Sequence, residues 1–152
     1  MFSQTIEYSL RALMYLASLD GTPVTSERIA AQTQVPAGYL SKVMRDLVIA
    51  NLVSSFRGPN GGFVLARSAA QITVLDAVNA VDPIRRIHKC PLNNPEHSNL
   101  CPLHRSLDDA LAHLEETLRT TTLAGVLEGG SKGCRGLIDK PTQPEKHSYD
   151  AA

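Results

Sequence analysis

The residues best suited to chemistry fall between positions 90 and 104. Cys90-Pro91-Leu92 and Cys101-Pro102-Leu103-His104 place two thiols and an imidazole on one stretch of chain, with His97 between them. Thiolates are soft donors that suit iron or zinc. The same residues allow three chemistries: a soft-metal site, a reversible Cys90–Cys101 disulfide, or zinc held by both cysteines with His97 and His104. The third cysteine, Cys134, stands alone in Gly133-Cys134-Arg135-Gly136 and is expected to be a free thiol, or a further ligand if the tail folds back. His88, His113 and His147 have no partner pattern and are expected on loops or the surface.

The whole chain bounds these readings. It has 152 residues, 43% apolar and 20% charged, with 15 bases against 15 acids. Zero net charge excludes a protein that coats nucleic acid by bulk charge, but not a local basic surface. No apolar run approaches the ~18 residues of a membrane span. Glu7 and Arg11 interrupt what would be the apolar core of a signal peptide. A cytoplasmic location is therefore expected, where cysteines serve metal or redox chemistry more often than structural disulfides. No nucleophile elbow, phosphate-binding glycine loop or metalloprotease helix motif is present, which argues against a hydrolase.

Periodicity predicts the elements that must carry these residues. Ile6, Leu10, Leu13, Met14 and Ala17 mark an amphipathic helix over 3–19, stopped by Asp20-Gly21-Thr22-Pro23. Val24-Thr25 suggests a very short strand. Ser26 is the expected N-cap of a short helix ending near Gln32, with Ile29 and Ala30 inward. After a turn, Pro36 is expected at the first position of a third helix reaching Asn51, which buries Leu40, Val43, Met44, Leu47 and Val48. Leu52 to Phe56 and Phe63 to Leu65 flank a glycine-rich turn and predict a β-hairpin. Thr73 caps a fourth helix through about Val81.

Residues 83–102 are expected to form the cysteine-bearing loop. Beyond it, Leu103, Leu107, Leu111, Leu114 and Leu118 follow the spacing of a coiled-coil seam. That seam predicts a long helix, assigned to 103–128 as a dimerisation element. Leu123, Val126 and Leu127 would either extend it or fold back. Residues 129–152 are expected to be a disordered tail.

The order helix, short helix, turn, helix, hairpin predicts a mainly α fold: a winged helix-turn-helix over 1–82 with a two-stranded wing, plus the long C-terminal helix. In that arrangement the third helix lies in the major groove. Its outward residues are Ala37, Gly38, Tyr39, Ser41, Lys42 and Arg45. Small side chains at 37 and 38 permit close approach, Tyr39 and Ser41 can hydrogen-bond, and Lys42 and Arg45 can neutralise phosphate. Arg57, Asn60 and Gly61 would carry the hairpin tip into the adjacent minor groove. Between Pro36 and Arg67 four bases meet one acid; between His104 and Glu128 two meet five. The alternative is a plain core helix with a solvated basic face.

The stretch "PAGYLSKVMRDLVIANLVSSFRGPNGGFVLARSAAQITVLDAVNAVD" resembles the winged-helix regulators that include the iron–sulfur assembly repressor IscR and the nitric-oxide sensor NsrR. The resemblance rests on Tyr39-Leu40, Ala50-Asn51-Leu52-Val53, Arg57-Gly58, Gly61-Gly62, Leu65 and the helix ending Val81-Asp82, and spans roughly residues 1–127. It implies a homodimeric transcription factor that binds a partly palindromic double-stranded DNA operator.

The resemblance also implies an iron–sulfur cluster on the loop, where the family has three cysteines. Cys90 matches the first and Cys101 the third. In place of the middle cysteine this chain has Asn93, Asn94, Glu96, His97 and Asn99. By the same resemblance His104 and Glu7 are candidate non-cysteine ligands, Glu7 from the second subunit. The implied ligand set is Cys90 and Cys101 with one or two of His104, Glu7 and His97, holding 2Fe–2S rather than 4Fe–4S. The expected function is operator binding switched by that cluster or by redox state. Within the same fold the alternative is metal-free regulation by thiol oxidation or a protein partner. A small iron–sulfur electron carrier is the alternative of another class, but it lacks a full cysteine set and leaves the wing unexplained.

Overall fold

The structure is a computed structural model that describes residues 2–91 and 99–130. Cys134, His97, His147 and residues 131–152 of the tail expected over 129–152 lie outside the described residues, while Gly129 is the last residue of a helix and Gly130 its cap. Within them the elements run α1 (Gln4–Ala17), α2 (Ser26–Thr33), α3 (Ala37–Ile49), β1 (Val53–Phe56), β2 (Gly62–Leu65), α4 (Val74–Val81), α5 (Pro102–Thr120) and α6 (Leu123–Gly129). The fold is mainly helical with one two-stranded antiparallel sheet, as the pattern predicts.

The core forms where the apolar faces of α1 to α4 meet. Leu13, Ile29, Leu40, Val43, Leu47, Leu52, Ile72 and Val78 are all essentially inaccessible. Burying a side chain of this size contributes roughly 1.5–3 kcal/mol, so these residues supply most of the drive to fold. Local chemistry fixes where each helix begins. Thr73 and Asp76 form a reciprocal capping box at the start of α4. Ser3 caps α1, its hydroxyl accepting from the Ile6 N–H.

At α2 and α3 the cap falls one residue away from the expectation. Thr25, not Ser26, caps α2: its backbone is extended and its hydroxyl accepts from the Arg28 N–H. Ser26 is the first helical residue. Pro36 is likewise the capping residue rather than the first residue of α3, and its carbonyl accepts from the N–H groups of Tyr39 and Leu40. The far end of α3 comes at Ile49, and Asn51 adopts φ 56° to turn the chain into the hairpin.

The hairpin pairs Val53 with Leu65 and Phe56 with Gly62. It is anchored by Val24, which exchanges both backbone hydrogen bonds with Phe63. Gly62 is required at this junction. Its φ is 150°, and a Cβ there would lie 2.6 Å from the Val24 carbonyl oxygen.

The span 103–128 is not one helix. The backbone breaks after Thr120, and Thr122 caps a separate α6. The cause is pairing with the segment before α4: Val74 N–H donates to Thr121, Leu123 N–H to Ile72 and Ala124 N–H to Ala69. Leu123 is thereby fully buried beside α1. Of the two continuations left open for Leu123, Val126 and Leu127, the chain folds back.

Candidate functional site

Two sets of residues have chemistry to offer. The first lies on α3 and the hairpin. Ala37, Gly38, Tyr39, Ser41, Lys42 and Arg45 are all exposed, while Leu40, Val43, Met44 and Leu47 hold the opposite face in the core. Gly38 faces open space, so packing within the chain does not demand its small size. The Tyr39 ring packs edge-to-face on Tyr8 of α1, with centroids 5.5 Å apart. Tyr8 is held in turn by the Gln4 side-chain amide, which donates to its hydroxyl at 2.7 Å. Sequence reasoning missed this Tyr8–Tyr39 contact, because 31 residues separate the partners and neither breaks its helix pattern.

Asp46 tempers the basic character of this face. It lies 2.9 Å from the Lys42 ammonium and 3.8 Å from Arg45. Such exposed pairs are worth little, so both cations stay available to a phosphate. Arg57 and Asn60 are exposed near the hairpin tip, and Arg57 has no ion pair among the described residues. Gly61 is half-buried inside the turn. Its N–H donates to the Gly58 carbonyl, and a Cβ would collide with the Phe56 and Gly58 carbonyls. Turn geometry alone thus accounts for glycine at 61.

The second set gathers at the start of α5. Cys101 is the residue before the helix, and His104 lies one turn in. The His104 Nδ1 is 3.2 Å from the Cys101 sulfur and 3.9 Å from the Cys90 sulfur. All three side chains are half-buried. Glu7 does not join them within one chain; it is exposed on α1 and paired with Arg11 at 3.0 Å. His97 and Cys134 lie outside the described residues.

Two thiols and an imidazole are a sound donor set for a soft metal. A 2Fe–2S cluster takes four protein ligands, and one chain supplies three of its candidates here. Among the described residues no three such groups enclose a single ion. The set therefore fits a soft metal or cluster in the chemistry of its donors, but among the described residues it does not form a closed site.

A charged cluster that sequence reasoning missed adjoins this set. Arg86 makes a two-pronged contact with Asp108 at 2.7 and 2.6 Å and reaches Glu115 at 3.2 Å. The Ile87 N–H also donates to Asp108 at 2.8 Å. The Arg86 guanidinium, then the Ile87 N–H, hold the Asp108 carboxyl down at about 2. Asp108, then Glu115, push the Arg86 guanidinium further up. The only sequence signal was that Asp108 and Glu115 follow His104 at helical spacing.

With this geometry in place, comparison with known proteins decides the family. A family model described as an iron-dependent transcriptional regulator, Rrf2, matches residues 2–129. The chain belongs to the Rrf2 family. A relative from Aquifex aeolicus, named for HTH-type transcriptional regulation, is 30% identical over 131 residues, covering 84% of this chain and 91% of the relative. The structure of CymR, the global cysteine regulator of B. subtilis, superposes with a TM-score of 0.71 at 25% identity, covering 86% of this chain and 98% of CymR. IscR of T. potens shares the fold at a TM-score of 0.70 and 24% identity, covering 90% of this chain and 96% of IscR. This Rrf2 protein is a DNA-binding transcriptional regulator with the winged-helix fold, and not an enzyme. Among its described residues no helix is long and apolar enough to cross a membrane.

Proposed function

We propose that the protein is a homodimeric regulator whose operator binding is switched at Cys90, Cys101 and His104. The observation that carries this is the approach of both sulfurs to one imidazole nitrogen at the first turn of α5. That point joins the loop after α4 to the helix bearing the leucine seam. Dimerisation is supported by α5 itself. It runs 19 residues without one that is buried, and Leu103 and Leu107 are 64% and 48% exposed. A second copy of α5 would cover them.

In the DNA-bound dimer, Tyr39 and Ser41 would hydrogen-bond base edges or phosphates, Lys42 and Arg45 would neutralise phosphates, and Ala37 and Gly38 would let the helix backbone approach. Arg57 and Asn60 would enter the minor groove from the hairpin tip, with Gly61 shaping the turn behind them. The two recognition helices must match half-sites about one turn apart, ~34 Å, so a small rotation at α5 changes affinity strongly.

An iron–sulfur cluster of the 2Fe–2S type, when bound, supplies a redox couple raised in potential by mixed cysteine and histidine ligation. Cys90, Cys101 and His104 would hold it, and Glu7 of the second subunit is the candidate fourth ligand. The same convergence favours one metal-free reading, in which an oxidant joins Cys90 to Cys101 as a disulfide.

Anaerobic native mass spectrometry tests the cluster, the dimer and their stoichiometry together. A dimer carrying iron and sulfide, with both lost in Cys101→Ala, is expected. A metal-free dimer would remove the cluster. Operator affinity that is the same with and without the cluster, and in reduced and oxidised protein, would remove the switch.

A further inference from the structure

We infer that Arg86, together with Asp108 and Glu115, is a clamp that positions Cys90 against Cys101 and His104. His104, Asp108, Leu111 and Glu115 recur at steps of four, three and four along α5, so they share one face of the helix. The segment after α4 lies on that face. Arg86 meets Glu115 and Asp108, the Ile87 N–H meets Asp108, and Cys90 meets His104. The segment therefore runs antiparallel to α5, toward the helix start where Cys101 sits.

Nothing in local geometry would place Cys90 there. The segment has no regular secondary structure of its own, and four hydrogen bonds from Arg86 and Ile87 pin it. A planar guanidinium gripping a carboxylate through two parallel bonds fixes direction as well as distance. Arg86 and Asp108 are thus positioning residues, and they touch neither sulfur. The inference rests on reading Cys90, Cys101 and His104 as one site, but not on what that site binds.

Capture of a trivalent arsenical tests it. Phenylarsine oxide condenses with two neighbouring thiols: two As–S bonds form, the As–O bond breaks, and both thiol protons leave with the oxygen as water. No oxidant or metal is needed. The full chain is used, metal-free and reduced, with Cys134→Ser removing the third thiol. Capture by this parent is expected and should be lost in Cys90→Ser.

Arg86→Met and Asp108→Asn should each weaken capture about tenfold, and the double variant no more than either alone, because both break one interaction. Glu115→Gln, which removes only the outer contact, should weaken it less. The core is untouched in all of them, so each should keep a cooperative thermal transition, with a midpoint only slightly below the parent's. Capture within about twofold of the parent in these variants, or losses that multiply in the double, would overturn the clamp. The two readings separate cleanly. Capture that depends on Arg86 while operator affinity ignores both cysteines keeps the clamp and removes the sensing role. Capture indifferent to Arg86 removes the clamp alone.

Discussion

α3 and α5 are both amphipathic helices, yet the chain treats them differently. α3 buries Leu40, Val43, Met44 and Leu47 against its neighbours and leaves a polar face outward. α5 is longer and buries no residue, and the first two leucines of its seam are largely exposed. An apolar stripe left open to water is a cost unless another surface covers it. The helix proposed to read DNA is therefore finished within one chain, whereas α5 would be finished by the second copy of the proposed dimer. The cysteine pair sits at the start of that helix, where, in the proposed dimer, a change in packing would be transmitted between subunits.

The contrast can be broken most forcefully at the seam. Leu103→Glu with Leu107→Glu should yield a folded monomer in sedimentation, and operator affinity should fall by roughly 10²–10⁴ as avidity is lost. A dimer that survives this double change would place the interface elsewhere. Leu40→Ala should act in the opposite way. It should cost about 2–5 kcal/mol in denaturant unfolding, independent of protein concentration, because the cavity opens inside one chain. Arg57→Ala should weaken operator binding about tenfold and make the salt dependence shallower by about one ion, as read from affinity across a salt series. An unchanged slope would mean that Arg57 meets no phosphate.

Smaller effects sharpen the boundary between the two regions. Thr73→Ala removes one half of the capping box and should cost about 1 kcal/mol in thermal or denaturant unfolding. Asp108 predicts a pH effect confined to strong acid. Its carboxyl is held at about 2, below the ordinary 3.8, by Arg86 and the Ile87 N–H. A lowered folded-state value means that its stabilisation is complete above the ordinary value and is lost as pH falls from about 4 to about 2. Acid titration of wild type against Asp108→Asn should show a difference that shrinks across that window and stays flat above pH 5.

Much of the winged-helix half could be read from residue order because its signals are local. Leu40, Val43, Met44 and Leu47 repeat with the helical period, Gly61 and Gly62 mark a tight turn, and Thr73 announces a cap. The one-residue shifts at Thr25 and Pro36 show the limit of that reading: adjacent Thr25 and Ser26 are both capable caps, and backbone geometry chose between them. The break after Thr120 was harder still. Leu118, Leu123, Val126 and Leu127 continue an apolar rhythm, and only the pairing of residues 121–124 with 69–74 stops the helix.

For the candidate site the division is similar. Residue types alone marked Cys90, Cys101 and His104 as soft donors, because thiols and imidazoles carry their chemistry wherever they sit. That Cys90 lies beside His104, that Glu7 stays away on α1, and that Arg86 grips Asp108 across 22 residues were settled only by tertiary structure. Periodicity and turn chemistry act over a few residues, and so sequence determined the helices up to Val81, the wing and the donor set. Which side chains meet depends on how those elements pack, and no local pattern encodes that.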